Sequence, residues 1–540
     1  MSFITVDKLY PDLLWVCTDN GGVFWFDIAA DSFTDDHPLF GAAEDLPFVN
    51  IIYMTVTRDG EYWFSTQDNG ILFYHTDKKN NKSGFEKLEI TGDKSSNYTD
   101  APNVLTIFED ASGLIWFGSW NTGLFTWQKR SREFVSYDHT NPDNSEQTSR
   151  VLRVLEDDDG ILWICTSSGL KKYNPLTRDY AYYRHNPSDS SSIMSDVIYT
   201  AIRDSAGMVW LGTDKGLDRF NPLTESITHY FHNPDDPGSI SKGLIINTFI
   251  DSKGTLWIGG WGDGLNKPVM TPEGEIEKFL HYRADDDNPA SISDNSIMSF
   301  AENQDGTLWI GTAYGGLNKL VSDYQFDEKG NLVRPVFVSY RSDPNNPSGL
   351  SGNDVRSVCI DENGTFWIGT YGAGVNSFNP PRTDNDPGVF NHFTQADGLA
   401  NDVVKCIYSD KLGRLWISTS YGLSMFNPPD QTFSNFYVSD GLKLDQFGGV
   451  YCKSRKTGRI YFGGNNGIVS FIPENIQIND FKPQVVITSL KTYSASAGKM
   501  VEIKGMPMKE KIIVPYRENI LHIEFASLNF YNSSHLSKTF

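Results

Sequence analysis

An all-β chain built from propeller blades is what this sequence predicts, and three observations carry the prediction. A tryptophan returns about every 47 residues, at Trp15, Trp63, Trp116, Trp163, Trp210, Trp257, Trp309, Trp367 and Trp416, and Tyr461 takes its place in a tenth copy. Aromatic residues make up 13% of the 540 residues, with 47 Gly, 25 Pro and only 21% charged side chains, a balance that suits short strands and tight turns better than helices. Each copy also divides into four short apolar runs separated by turn residues, as an antiparallel meander requires.

One copy shows the elements in order. A mostly apolar run from Val197 to Asp204 reads as the first strand, and Ser205-Ala206-Gly207 turns the chain. Met208 to Thr213, carrying Trp210, is the second strand, and Asp214-Lys215-Gly216 the next turn. Leu217 to Phe220 follows as the third strand, Asn221-Pro222-Leu223-Thr224 as a turn, and Ile227 to Phe231 as the outer strand. The recurring Asp of the Asp-x-x-Gly turn (Asp110, Asp157, Asp204, Asp251, Asp361, Asp410) is read as a cap on its own turn, with the glycine at positive φ. A calcium loop would need several more oxygens gathered from alternating positions, so no metal site is expected. The repeated tryptophans read as packing between blades rather than as a sugar platform.

Five cysteines cannot all pair, and none forms a C-x-x-C motif. Cys17 and Cys165 stand where related copies have Gly212, Gly259, Gly311 and Gly369, and Cys359, Cys406 and Cys452 lie in apolar runs, so five buried, unpaired thiols are expected. A formal net charge of -22 disfavours nucleic acid and anionic membrane surfaces as partners. The chain has no run of 18 apolar residues to span a bilayer, and it enters the strand-like Leu13-Leu14-Trp15-Val16-Cys17 without the pattern of a signal peptide.

The string Val355-Arg356-Ser357-Val358-Cys359-Ile360-Asp361-Glu362-Asn363-Gly364-Thr365-Phe366-Trp367-Ile368-Gly369-Thr370 resembles the two-component regulator propeller repeat. The same word returns in Leu308-Trp309-Ile310-Gly311-Thr312 and Leu415-Trp416-Ile417-Ser418-Thr419. After the tenth copy, the segments from Pro483 to Leu490 and from Asn519 to Tyr531 resemble the opening of the Y_Y_Y sandwich domain that follows such propellers. The resemblance implies a periplasmic sensor in which two seven-bladed propellers and an immunoglobulin-like sandwich are joined through a membrane helix to a histidine kinase or diguanylate cyclase. It also implies a homodimer through the sandwich, with membrane contact only through a helix outside this chain. Ten blades exceed what one ring usually closes. The division expected is therefore 1–140 as three blades of an upstream propeller, 141–475 as a seven-bladed ring and 476–540 as the first part of the sandwich. On this reading the chain is a fragment that opens inside a blade and stops mid-sandwich.

In a four-stranded blade, the turns joining second to third strands share one face with the connections from each outer strand to the next inner strand. Those turns bring Trp120, Trp261, Tyr314, Tyr371 and Tyr421 towards the ring mouths, with Asn121, Asp263 and Asn466 beside them. Aromatic faces next to amides and carboxylates suit an oligosaccharide, which presents C–H patches and hydroxyls together. Inner strands carry Arg153, Arg203, Arg356 and Lys405 among apolar neighbours, and each must reach a carboxylate or the axial channel. Of these, Arg356 and Lys405 join the candidate ligand-binding set. No catalytic residue and no cofactor are expected. Two alternatives remain open: a propeller glycoside hydrolase, which needs an isolated carboxylate pair that the repeat does not supply, and a protein-binding scaffold, against which stands the absence of the WD dipeptide.

Overall fold

A computed structural model describes residues 3–18, 22–43, 46–47, 50–67, 70–77, 82–88, 104–120, 123–127, 134–137, 150–326, 332–381, 388–442, 444, 446–454, 456–465, 467–476, 485–494, 499–502 and 520–527. Apart from three single 3-10 turns, the elements named below are strands. The chain divides into two units, residues 130–478 and residues 1–129 with 479–540.

The larger unit is a β-propeller of seven four-stranded sheets. Its inner strands, in ring order, are Val151–Glu156, Ile198–Arg203, Leu244–Ile250, Ile297–Glu302, Val355–Ile360, Val404–Ser409 and Phe447–Lys453, here blades I to VII. Each packs against the next, and the inner strand of blade VII packs back against that of blade I, which closes the ring. In blade IV a small hairpin, Gln325–Phe326 with Leu332–Val333, is inserted before the outer strand Val336–Tyr340 and accounts for its longer repeat.

Closure uses a strand that the repeat pattern concealed. Blade VII takes its fourth strand from Val135–Tyr137, which pairs with Gly467–Phe471 across more than three hundred residues of chain. The boundary expected at residue 141 therefore moves upstream, and among the described residues the third of the early blades has three strands, Val104–Glu109, Ile115–Ser119 and Gly123–Trp127. The physical reason is edge protection: an unpaired strand of blade VII would leave open N–H and C=O groups, and a segment arriving from the far end of the ring covers them.

The consensus word has a structural meaning at every position. The Asp of each turn caps it and also accepts the indole N–H of the tryptophan six residues on, at 2.8 to 3.0 Å in Asp157–Trp163, Asp204–Trp210, Asp251–Trp257, Asp361–Trp367 and Asp410–Trp416. The glycine two residues after the tryptophan leaves room for the next inner strand: a Cβ at Gly212 would lie 2.6 Å from Ile245 Cγ2 and 2.8 Å from its carbonyl oxygen. Following it, the threonine donates its hydroxyl to the carbonyl of the turn glycine, as Thr166 does to Gly169 and Thr370 to Gly374, both at 2.8 Å. The thiols of Cys165 and Cys406 are fully enclosed, burial pushes both up to about 12, and none of the five cysteines is joined in a disulfide, Cys359 and Cys452 being only half-buried.

Blade IV breaks the pattern in one atom. Asn303 stands where blades I, II, III, V and VI have Asp; its amide oxygen accepts the Thr307 amide, but Trp309 Nε1, fully buried, has no partner among the described residues. Asn303→Asp is expected to raise the stability of the ring by about 1 to 2 kcal/mol, because a second carboxylate oxygen would satisfy that donor. Thermal unfolding checks it, and a melting temperature that stays level or falls would contradict it.

The smaller unit contains the four-stranded sheets of the first two blades, the three-stranded third, and one further three-stranded sheet in which Val485–Ser494 lies between Lys499–Glu502 and Leu521–Ser527. In the first blade, burial alone would raise the Asp7 carboxyl. Instead, hydrogen bonds from His37, Trp15, the Tyr10 amide and Tyr62 hold it down at about 2.

Candidate functional site: the loop face of the ring

The ring's turns and connections meet on one face, and hydrogen bonds tie them together. The second-to-third turn of a blade donates from its glycine amide to the connection entering the next blade, as Gly169 does to Asp196, Gly264 to Asn295, Gly316 to Asn353 and Gly374 to Asp402. Those connections are clamped in turn by side chains of the third and outer strands. The Asn266, Asn318 and Asn376 amide oxygens accept the amides of Ser241, Ser293 and Ser351, while His281, Ser339 and the Asp218–His229 pair support the same position from outer strands. These clamps were not foreseen. Their signal was present, as a polar residue recurring in otherwise apolar third strands.

On this rigid face, four of the expected aromatics occupy equivalent turns of four consecutive blades: Trp261 on III, Tyr314 on IV, Tyr371 on V and Tyr421 on VI. Their exposures of 38, 67, 51 and 48% leave part of each side chain open to solvent. Trp261 and Tyr314 meet edge to face with centroids 6.4 Å apart, and Tyr421 leans on Tyr437 at 5.5 Å, so neighbours hold these rings in place. Asp263 follows Trp261 in the same turn and lies against Gly243 of the preceding connection. Blades I and II carry Ser167, Ser168, Asp214 and Lys215 at this level, so the aromatic row covers one side of the mouth. Trp120, 79% exposed, stands on the smaller unit and is not part of this row. Asn121 and Asn466 lie outside the described residues.

A β-bulge near the start of each inner strand adds a second set of groups. The registers skip one residue in blades I to VI: Leu152, Tyr199, Ile246, Met298, Arg356 and Lys405. A bulge re-aims its extra side chain, and in blades V and VI that side chain is a cation. Arg356 places its guanidinium 4.9 Å from the centre of the Tyr371 ring and pairs with Asp354 at 2.6 Å. Lys405 sets its ammonium 4.6 Å from the same ring. Burial, with the nearby Arg356 and Arg150, pulls the Lys405 ammonium below its ordinary range. Among the other inner-strand cations, Arg203 pairs with Asp158 of blade I at 2.7 Å.

A family model described as the two component regulator propeller matches residues 291–314, 349–372 and 398–421, three spans that end in the aromatic turns of blades IV, V and VI. The chain carries two-component regulator propeller repeats. It is 23% identical over 289 residues to histidine kinase P4 of Formosa agariphila, a match covering 45% of this chain and 20% of that protein. Among solved structures, the extracellular domain of the hybrid two component system BT3049 from B. thetaiotaomicron is similar, with a TM-score of 0.58, 23% identity and coverage of 97% of this chain and 64% of that one. A streptogramin B lyase is also similar, at a TM-score of 0.43 and 13% identity, covering 64% of this chain and 99% of that one. The chain thus spans less than two thirds of the length of the first two. The three matched spans hold Trp309, Trp367 and Trp416 together with Tyr314, Tyr371 and Tyr421. Among the described residues, no helix is long and apolar enough to cross a membrane, which says nothing of β-barrels.

Proposed function

We propose that this chain is the extracytoplasmic ligand-sensing region of a two-component signalling protein, and that its ring binds an oligosaccharide on the face bearing Trp261, Tyr314, Tyr371 and Tyr421. The observation that carries the proposal is the row itself: four exposed aromatic rings on equivalent turns of adjacent blades. Rings at that repeat fit successive sugar units, each offering a C–H face to stack and hydroxyls for the Asp and Asn groups nearby. The similarity to a histidine kinase and to the extracellular domain of a hybrid two component system supports the signalling class. A binding role rather than catalysis fits the acids of the repeat, since Asp157, Asp204, Asp251, Asp361 and Asp410 are each engaged by a tryptophan and their own turn. The output step belongs to a histidine kinase or diguanylate cyclase module of the whole protein. Ligand would reach it by favouring one arrangement of propellers and paired sandwiches over another, because a ligand of equal affinity for both shifts nothing.

Calorimetry with a panel of plant and algal oligosaccharides tests the reading. Alanine at both Trp261 and Tyr371 is expected to weaken the binding found by about 1 to 3 kcal/mol while leaving the melting temperature unchanged, since stacking on half-exposed rings contributes about that much. Unchanged affinity in the double variant would move the site off this face.

A further inference from the structure

We propose that the axial mouth of the ring holds the acidic group of a negatively charged oligosaccharide, a uronate carboxylate or a sulfate ester, on Arg356 and Lys405. The inference rests on the saccharide reading above and narrows its ligand class. Its first ground is the bulge position, which is apolar or aromatic in blades I to IV and cationic in the adjacent blades V and VI. Both cations lie against one ring, Tyr371, at 4.9 and 4.6 Å, so two like charges are held together although each would be more stable apart. The positive charge of Arg150 also helps to lower the Lys405 ammonium.

The second ground is the charge balance. Acids outnumber bases by 68 to 46 in the whole chain, so carboxylates are abundant. Nevertheless Asp354, bound to Arg356, is the one carboxylate in ion-pair contact with these two cations among the described residues. Arg203, in the same strand of blade II, has Asp158 as its own partner. Positive charge gathered and only partly neutralised inside an acidic protein is a place where an anion gains from binding, because the low-dielectric walls strengthen the attraction. Tyr371 belongs to both the aromatic row and the cation pair. A sugar stacked along the row can therefore set its acidic substituent on the cations.

Calorimetry on the 540-residue chain with three probes tests this: tetragalacturonate, the neutral galactose tetrasaccharide, and that tetrasaccharide bearing sulfate esters. One of the two acidic probes is expected to bind at least about tenfold more tightly than the neutral one at low ionic strength, with the preference shrinking as salt screens the site. Which acidic probe is preferred identifies the group. The double substitution Arg356→Gln with Lys405→Met should abolish the preference for the acidic probe, and Arg356→Lys should keep most of it. Equal affinity for neutral and acidic probes in the parent chain, or a preference that survives the double substitution, overturns the inference while the saccharide reading stands. Binding of neither acidic probe, where the wider panel yields a neutral ligand, overturns the inference alone, and binding of nothing in either set overturns both.

Discussion

Replacing Phe134 by alanine is expected to lower the stability of the ring by about 3 to 5 kcal/mol, the usual cost of truncating a buried phenylalanine. Phe134 precedes the closing strand and inserts between blades VI and VII, its ring 5.4 Å from that of Phe436 and 5.2 Å from that of Phe471, in a cluster with Trp416 and Phe462. The effect should exceed that of an equal cavity elsewhere in the repeat, because this contact anchors a strand held by only three paired residues, Val135, Ser136 and Tyr137. Urea unfolding followed by tryptophan fluorescence measures it, with Val135→Ala, at a more exposed position of the same strand, as the comparison. A loss below about 1 kcal/mol for Phe134→Ala would mean that the ring stays closed without this clasp.

The second large effect is expected at the turn glycines of the loop face. Gly316 has a φ of +81°, and a Cβ there would overlap the carbonyl oxygen of Tyr340, which ends the outer strand of the same blade. Gly364 has the same φ of +81° with nothing within 4 Å of where its Cβ would stand. Gly364→Ala should therefore cost only the strain of a left-handed alanine, about 1 to 2 kcal/mol, whereas Gly316→Ala adds the overlap and should cost about 2 to 5 kcal/mol. The difference between the two variants isolates the close approach. Equal losses would show that the backbone relaxes freely, and with it that the aromatic turns are less rigid than their hydrogen bonds indicate.

Much of the candidate face was legible from the sequence because it rides on the repeat. Trp261, Tyr314, Tyr371 and Tyr421 occur four or five residues after a tryptophan that the period makes visible, so their placement on corresponding turns followed once the blade anatomy was known. Arg356 and Lys405 stood out as cations in apolar strands, but where they point could not be read. Strict alternation along a strand assigns a residue to one face or the other, and the bulge at each of them breaks that alternation. Asp218 and His229 were passed over for a related reason. They are eleven residues apart, and only the pairing of their strands makes them a contact.

By itself the sequence determined the blade: four strands, the small residue that lets the next strand approach, the threonine that closes the turn, and the acid that caps it. These are local properties, set within about a dozen residues by turn chemistry, side-chain size and the alternation of apolar positions. It also determined that tryptophans repeat in register, and hence that the copies stack. Tertiary structure alone decided how the ring ends. The strand Val135–Tyr137 pairs with Gly467–Phe471 because an open edge must be covered, and no short-range signal distinguishes it from an ordinary outer strand of the blade it follows. The same holds for the cations on Tyr371. Their juxtaposition joins residues of two blades and a turn, so it exists only once the inner strands have packed side by side around the axis.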